Sequence, residues 1–391
     1  MEKVFAQRMS LLGTETAFEV LAKAKKLEAQ GKDIVHLEIG EPDFDTPKNI
    51  IDAACLALNS GYTHYTAAPG IPEVRETIAD YVRKHKNVDT SADDVVIVPG
   101  GKPIMFFSIM ATIDPGDEVI YPNPGFPIYE SVIKFVGGKP VPIPLREENQ
   151  FRLDVNELAQ LITPKTKMLI INSPGNPTGG VLTSDDVKAI ADLVRGKDIL
   201  VLSDEIYDRI VYGDTHPLSI ASLPGMKDWT IILDGFSKTY AMTGWRLGYG
   251  VMHPEIAARI AQLMVNSNSC TAASTQMAGK EALTGPQNEV DTMVAEFKRR
   301  RDTMVTGLNS ISGVSCLSPE GSFYVFPNLK SFGKNSKEIA DYLLNEAGVA
   351  CLGGTAFGSY GEGYLRFSYA NSIENIQKAL GRIETALGKM R

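Results

Sequence analysis

The sequence predicts an α/β protein: a large domain built on a mostly parallel, doubly wound sheet, with a smaller α+β domain beside it. Three observations lead there. Strand-like and helix-like segments alternate from the turn-rich run Gly40–Pro47 to about Leu283. Several strand candidates are continuous β-branched or aliphatic runs without polar alternation, the look of strands covered on both faces. The length, 391 residues, exceeds what one ordinary core fills and suggests two domains.

The elements follow in order. Phe18, Leu21, Ala22 and Leu27 recur at helical spacing, so Thr16–Ala29 reads as a helix stopped near Gly31, and Ile34–Ile39 reads as a short strand. Further strands are expected at Val95–Val98, Glu118–Tyr121, Pro140–Ile143, Met168–Asn172, Ile199–Ser203, Thr230–Asp234 and Leu247–Val251, with helical patterns at Ser184–Val194 and Pro254–Val265. After the break Gly285-Pro286-Gln287 comes a long helix, about Glu289–Ile311. Strands near Val314–Cys316 and Ser322–Phe326, a helix near Lys337–Glu346, a strand at Tyr364–Tyr369 and a last helix from Ile373 complete the reading.

Composition narrows the function. Apolar residues are 43% and charged residues 22% of the chain, ordinary for a globular protein, and the formal charge of −8 argues against a nucleic-acid partner. The run Lys298–Arg301 lies in the long helix and reads as a solvated face. The four cysteines (Cys55, Cys270, Cys316, Cys351) are far apart and the five histidines are scattered, so neither a disulfide framework nor a metal site is expected, and a reducing cytoplasm fits. Met1–Thr14 lacks the apolar stretch of a signal peptide, and no apolar run reaches the ~18 residues a membrane span needs.

Four strand–loop junctions carry chemistry. In Asp234-Gly235-Phe236-Ser237-Lys238-Thr239, a lysine stands just past a strand end, where open α/β sheets bind ligands; desolvation there can neutralise Lys238 and make it a nucleophile toward an aldehyde. Arg246, in the same loop, can grip a phosphate in bidentate fashion. In Ser203-Asp204-Glu205-Ile206-Tyr207, a carboxylate ends a buried strand; it can pair with a protonated ring nitrogen or, equally, cap a following helix, and Tyr207 can reach a ring oxygen. Asn172–Gly179 holds two prolines and two glycines that fix Asn176. In Val98-Pro99-Gly100-Gly101-Lys102-Pro103, the amides of Gly101 and Lys102 can face an anion at a helix N-terminus, or the segment is a simple turn. Phe126 follows another strand and can stack on a flat ring or fill core. Arg366 sits inside an apolar strand and needs an anion, either a substrate carboxylate or a structural one.

The strings S-D-E-x-Y (203–207), N-P-T-G (176–179) and S-K-T-x-x-x-x-G-W-R-x-G (237–248) occur together, and from about Leu37 to Ala370 the chain resembles the aspartate-aminotransferase-like (class I/II) aminotransferases, fold type I of the pyridoxal 5′-phosphate (PLP) enzymes. The resemblance implies that residues 1–45 join 285–391 in the small domain and that 46–284 form the large PLP-binding domain. It implies that Lys238 carries the cofactor as a Schiff base and shuttles the proton, that Asp204 binds the ring nitrogen, and that Asn176 and Tyr207 bind the phenolate oxygen. Gly101, Lys102, Ser237 and Arg246 would hold the phosphate, Tyr65 would reach the phosphate of a partner subunit, and Phe126 would stack on the ring. Arg366, the Gly40 backbone and Asn176 would seat the substrate α-carboxylate. A homodimer is implied, as is ping-pong transfer from an L-amino acid, aspartate-type or aromatic/neutral, to a 2-oxo acid such as 2-oxoglutarate. A rival on the same scaffold is a C–S lyase or related elimination enzyme. Three departures bear on specificity and loop stiffness: Gly13 stands where some aspartate-specific relatives have lysine, no clear second arginine awaits a side-chain carboxylate, and Gly353 stands where proline is common.

Overall fold

The computed structural model describes residues 4–390. Its strands, in chain order, are β1 (Val35–His36), β2 (Val95–Val98), β3 (Glu118–Asn123), β4 (Lys139–Pro144), β5 (Thr166–Asn172), β6 (Leu200–Asp204), β7 (Thr230–Gly235), β8 (Gly248–Val251), β9 (Tyr324–Val325), β10 (Val349–Ala350), β11 (Leu352–Gly353) and β12 (Leu365–Ser368).

Seven strands form one sheet in the order β2-β8-β7-β6-β5-β3-β4. Only β8 runs against the rest. The apolar runs are buried on both faces, as their lack of alternation predicts: Val96 and Val98 pack into one layer with Ile104, Met105 and Ile260, whereas Val95 and Ile97 pack into the opposite layer with Val74, Ile78 and Ala278. Helices Lys102–Thr112, Ile128–Phe135 and Pro254–Ser267 therefore cover one face. Pro72–Lys86, Ser184–Val194 and Ala273–Thr284 cover the other. Helix Ser184–Val194 starts where the sequence says it should because Thr183 and Asp186 form a reciprocal capping box.

The C-terminal region adds the antiparallel sheet β11-β12-β9 packed on helices Asn288–Ser310 and Ile373–Met390. The N-terminal strand β1 pairs in parallel with β10, Val35 opposite Val349. That pairing carries the following residues, Leu37 to Gly40, beside β12, where the Ser368 amide donates to the Leu37 carbonyl at 2.8 Å.

Several expectations need correction. Val314–Cys316 is not a strand; only Ser315 bridges, to Asn328, because the Cys316 amide is taken by the Asn309 side chain. Ile34–Ile39 and Ser322–Phe326 shrink to two-residue strands. The helix near Lys337 is α-helical only over Ser336–Tyr342 and closes in a π-turn over Leu343–Ala347 before Gly348.

Candidate active site

Parallel strands deliver their following loops to one edge of the sheet. β5 ends at Asn172, β6 at Asp204 and β7 at Gly235, three residues before Lys238, and Asn172 and Asp204 are register partners. The antiparallel β8 presents its beginning at that same edge, Gly248 lying opposite both Val98 and Gly235. That is why Arg246 precedes its strand while Asn176, Tyr207 and Lys238 follow theirs.

These loops and the Gly40, β9 and β12 segments enclose a cavity of about 990 Å³, whose walls include Gly40, Gly101, Lys102, Phe126, Asn176, Asp204, Tyr207, Ser237, Lys238, Arg246 and Arg366. Tyr65 is not among them; its side chain is 89% exposed on the surface.

Lys238 Nζ reaches into the cavity, donates to the Gly40 carbonyl and lies 5.7 Å from the Phe323 ring centre. Removal from water pushes its pKa down to about 8, against the charge of Glu41 and with help from Arg366. Asp204 is buried and caps no helix, since turns follow it; its Oδ1 accepts from the Ile206 amide at 3.3 Å and its Oδ2 from the Tyr129 hydroxyl at 2.6 Å. Burial lifts its pKa to about 6, with the Tyr129 hydroxyl opposing. The Tyr207 hydroxyl shares a 2.9 Å bond with that of Tyr324, and burial raises its pKa. Asn172 fixes the next loop from both sides: Nδ2 donates to the Asp204 carbonyl at 3.1 Å and Oδ1 accepts the Asn176 amide at 2.9 Å.

At the other end of the cavity, Gly101 and Lys102 open helix Lys102–Thr112. Gly100 has φ of +85°, and a Cβ there would sit 2.1 Å from Arg246 Nη2; only glycine lets the guanidinium lie on this turn. Lys102 leans over the Phe126 ring, 5.5 Å from its centre, and pairs with Glu15.

Arg366 is buried at 4% exposure. Its Nη1 donates to Asn176 Oδ1 at 3.1 Å, Nη2 donates to the Glu38 carbonyl, and its Nε is buried without a partner. It is sandwiched between Tyr324 and Phe357, at 4.4 and 4.9 Å from their ring centres. Burial lowers its pKa, yet among the described residues no carboxylate forms an ion pair with it, nor with Lys238 or Arg246. A structural carboxylate is thus not what Arg366 holds.

Sequence reasoning missed Tyr129, Tyr324, Asn172 and Glu15. Tyr129 falls in an apolar helix and reads as core, and Glu15 lies 87 positions from Lys102. Only Asn172 had a signal, as the last residue of a strand opening a proline-rich loop.

A doubly wound sheet with a desolvated lysine, a buried acid and unneutralised arginines around one cavity defines a cofactor-dependent enzyme acting on anions. The chain belongs to the class I and II aminotransferases, whose family model, Aminotransferase class I and II, matches residues 32–383. It is 41% identical over 370 residues to the aspartate aminotransferase of Pyrococcus abyssi, covering 94% of this chain and 95% of that one. It is also 41% identical over 363 residues to aromatic-amino-acid aminotransferase 2 of Thermococcus litoralis, covering 92% and 93%. The solved aspartate aminotransferase of Thermus thermophilus with maleate superposes at a TM-score of 0.94, with 35% identity and 98% and 99% coverage. The chain is a transaminase, and the family's chemistry depends on PLP.

The residues fit that cofactor. Lys238, Arg246 and Arg366 stand on the cavity wall with no ion-paired carboxylate among the described residues, as an aldehyde-seeking amine, an anionic phosphate and a carboxylate substrate require. Asp204 Oδ1 keeps lone pairs beyond its one long bond, enough to accept from a protonated ring nitrogen.

Proposed function

We propose that this enzyme transfers the amino group of an L-amino acid, aspartate-type or aromatic/neutral, to a 2-oxo acid such as 2-oxoglutarate, in a ping-pong cycle. The observation that carries the reading is Arg366, a buried guanidinium with an unpartnered Nε and, among the described residues, no ion-paired carboxylate. It calls for a ligand that brings its own carboxylate.

Bound PLP supplies an electron sink and a carbonyl carbon to receive the amino group. Arg366, Asn176 and the backbone at Gly40 seat the α-carboxylate, which orients the α-hydrogen toward Lys238. Lys238 Nζ, half neutral near pH 8, takes the proton from the α-carbon and later returns it. Asp204 Oδ1 holds the proton on the ring nitrogen, and the Tyr129 hydroxyl keeps Oδ2 occupied and the carboxylate turned. With PLP bound, Asn176 and Tyr207 would donate to its ring oxygen. The backbone amides of Gly101 and Lys102, with Ser237 and Arg246, would hold the phosphate, and Phe126 would stack on the ring.

Residues 1–45 and 285–391 act as the small domain and 46–284 as the large one; the β1–β10 pairing supports this division. Two chains form the working cytoplasmic enzyme, each lending Tyr65 to the other's phosphate; its 89% exposure in the single chain is consistent with that use.

A donor panel of aspartate, alanine, phenylalanine and tyrosine, each with and without 2-oxoglutarate, tests the reading. Transamination requires the acceptor for sustained turnover. Steady 2-oxo acid production without any acceptor would instead identify an elimination enzyme.

A further inference from the structure

The cavity wall carries a charged side chain that the reaction scheme leaves unused, that of Lys102. The wall carries Lys25, Lys102, Lys238, Arg246 and Arg366. With Lys238 and Arg246 committed to the cofactor and Arg366 to the α-carboxylate, the side chains of Lys25 and Lys102 are left, and Lys102 is the one beside the Phe126 ring, at 5.5 Å, where a substrate side chain would meet it. It is already paired, with Glu15, which lines the same cavity.

Glu15 is held there. Two residues earlier the Gly13 amide donates to Ser131 Oγ at 2.8 Å, docking the N-terminal segment onto helix Ile128–Phe135. One residue later helix Thr16–Glu28 begins, with the Phe18 amide on the Glu15 carbonyl. The carboxylate is thus set over the mouth by structure on both sides, and its side chain is only 20% exposed. Its charge is also felt at Lys238 and Arg366, where it opposes the effect of burial.

We propose that Glu15 is a specificity-determining residue that disfavours dicarboxylic substrates by occupying Lys102. A side-chain carboxylate entering beside Lys102 meets a negative charge and finds its cation neutralised, whereas an aromatic or aliphatic side chain loses nothing. The inference rests on the proposed seating of the α-carboxylate at Arg366.

The test is the holoenzyme's donor half-reaction, followed by stopped-flow absorbance without acceptor. L-aspartate and L-glutamate are compared with L-phenylalanine, in wild type, Glu15→Gln and Glu15→Ala. Both variants are expected to raise the dicarboxylate-to-phenylalanine ratio of apparent second-order rate constants by about tenfold, the scale of one like-charge contact in a partly exposed site. In parallel, succinate should bind the Glu15→Gln holoenzyme about tenfold tighter by equilibrium titration. A ratio and a succinate affinity that stay unchanged or fall would overturn the role of Glu15. If wild type reacts with none of the donors, it is the proposed transamination that fails instead. The two variants differ in size and hydrogen bonding, so a folding defect in one leaves the other, with succinate binding, to decide.

Discussion

Arg366→Lys isolates the carboxylate seat. Arg366 spends Nη1 on Asn176 and Nη2 on the Glu38 carbonyl, which fixes the guanidinium plane and leaves the Nε edge for a ligand. Lysine keeps the charge but offers a point ammonium in place of a planar fork. It cannot satisfy Asn176 Oδ1, the Glu38 carbonyl and a substrate carboxylate together. Charged hydrogen bonds are worth about 1.5–3 kcal/mol each, so losing one or two from the bound state costs roughly 2–5 kcal/mol, or about 30- to 5,000-fold in kcat/KM. The loss should be shared by every donor, because every donor carries an α-carboxylate. Steady-state kinetics with aspartate and phenylalanine measure it, and cofactor content by absorbance confirms that the site is otherwise intact. A fully loaded variant within threefold of wild type for both donors would refute the assignment.

Three further outcomes follow. Asp204→Asn should abolish most turnover yet stabilise the cofactor-free protein at neutral pH. The native carboxyl has its pKa raised from 3.8 to about 6, so the folded state binds that proton more tightly; the contribution is complete below about pH 4 and lost as pH rises through about 6, amounting to roughly 3 kcal/mol. Urea unfolding of both apoproteins at pH 4.5 and 7.5 should show the variant's advantage only at the higher pH, and an equal advantage at both contradicts it. The rate of PLP capture by the apoprotein should climb with pH, reach half its maximum near pH 8 and level off above about pH 9, since Lys238 must be neutral to attack; a lysine with its usual pKa of 10.5 would still be gaining steeply at pH 9.5. Lys86→Met should destabilise the protein by more than about 3 kcal/mol, as it strands the buried carboxylates Glu205 and Asp234 and the half-buried Asp208, which share one ammonium. A denaturation midpoint equal to wild type would show that the cluster carries no such penalty.

The large sheet was legible because strands β2, β3, β5, β6 and β7 each contain an unbroken apolar run, and burial on both faces leaves that mark in one dimension. The loops at their ends were legible for another reason: lysine, arginine, aspartate and asparagine stand where a plain turn has no use for them. What escaped were features made by pairing distant segments. β1 and β10 are two residues each and exist only because residues more than 300 positions apart align. Tyr129 looks like core until its hydroxyl is seen on Asp204, and Glu15 looks like a helix start until it meets Lys102. Arg366 lay between: the sequence showed that it needed an anion, but only the geometry showed that no carboxylate among the described residues forms an ion pair with it.

The central claim is that the ε-amine of Lys238, lowered in pKa by burial, is the group that bonds the cofactor. Borohydride reduction of the PLP-loaded protein, followed by peptide mass spectrometry, tests it directly. A pyridoxyl phosphate adduct on the peptide spanning Ser237–Tyr240, lost in Lys238→Ala, is the predicted result. An adduct confined to another lysine, or unchanged in that variant, contradicts it.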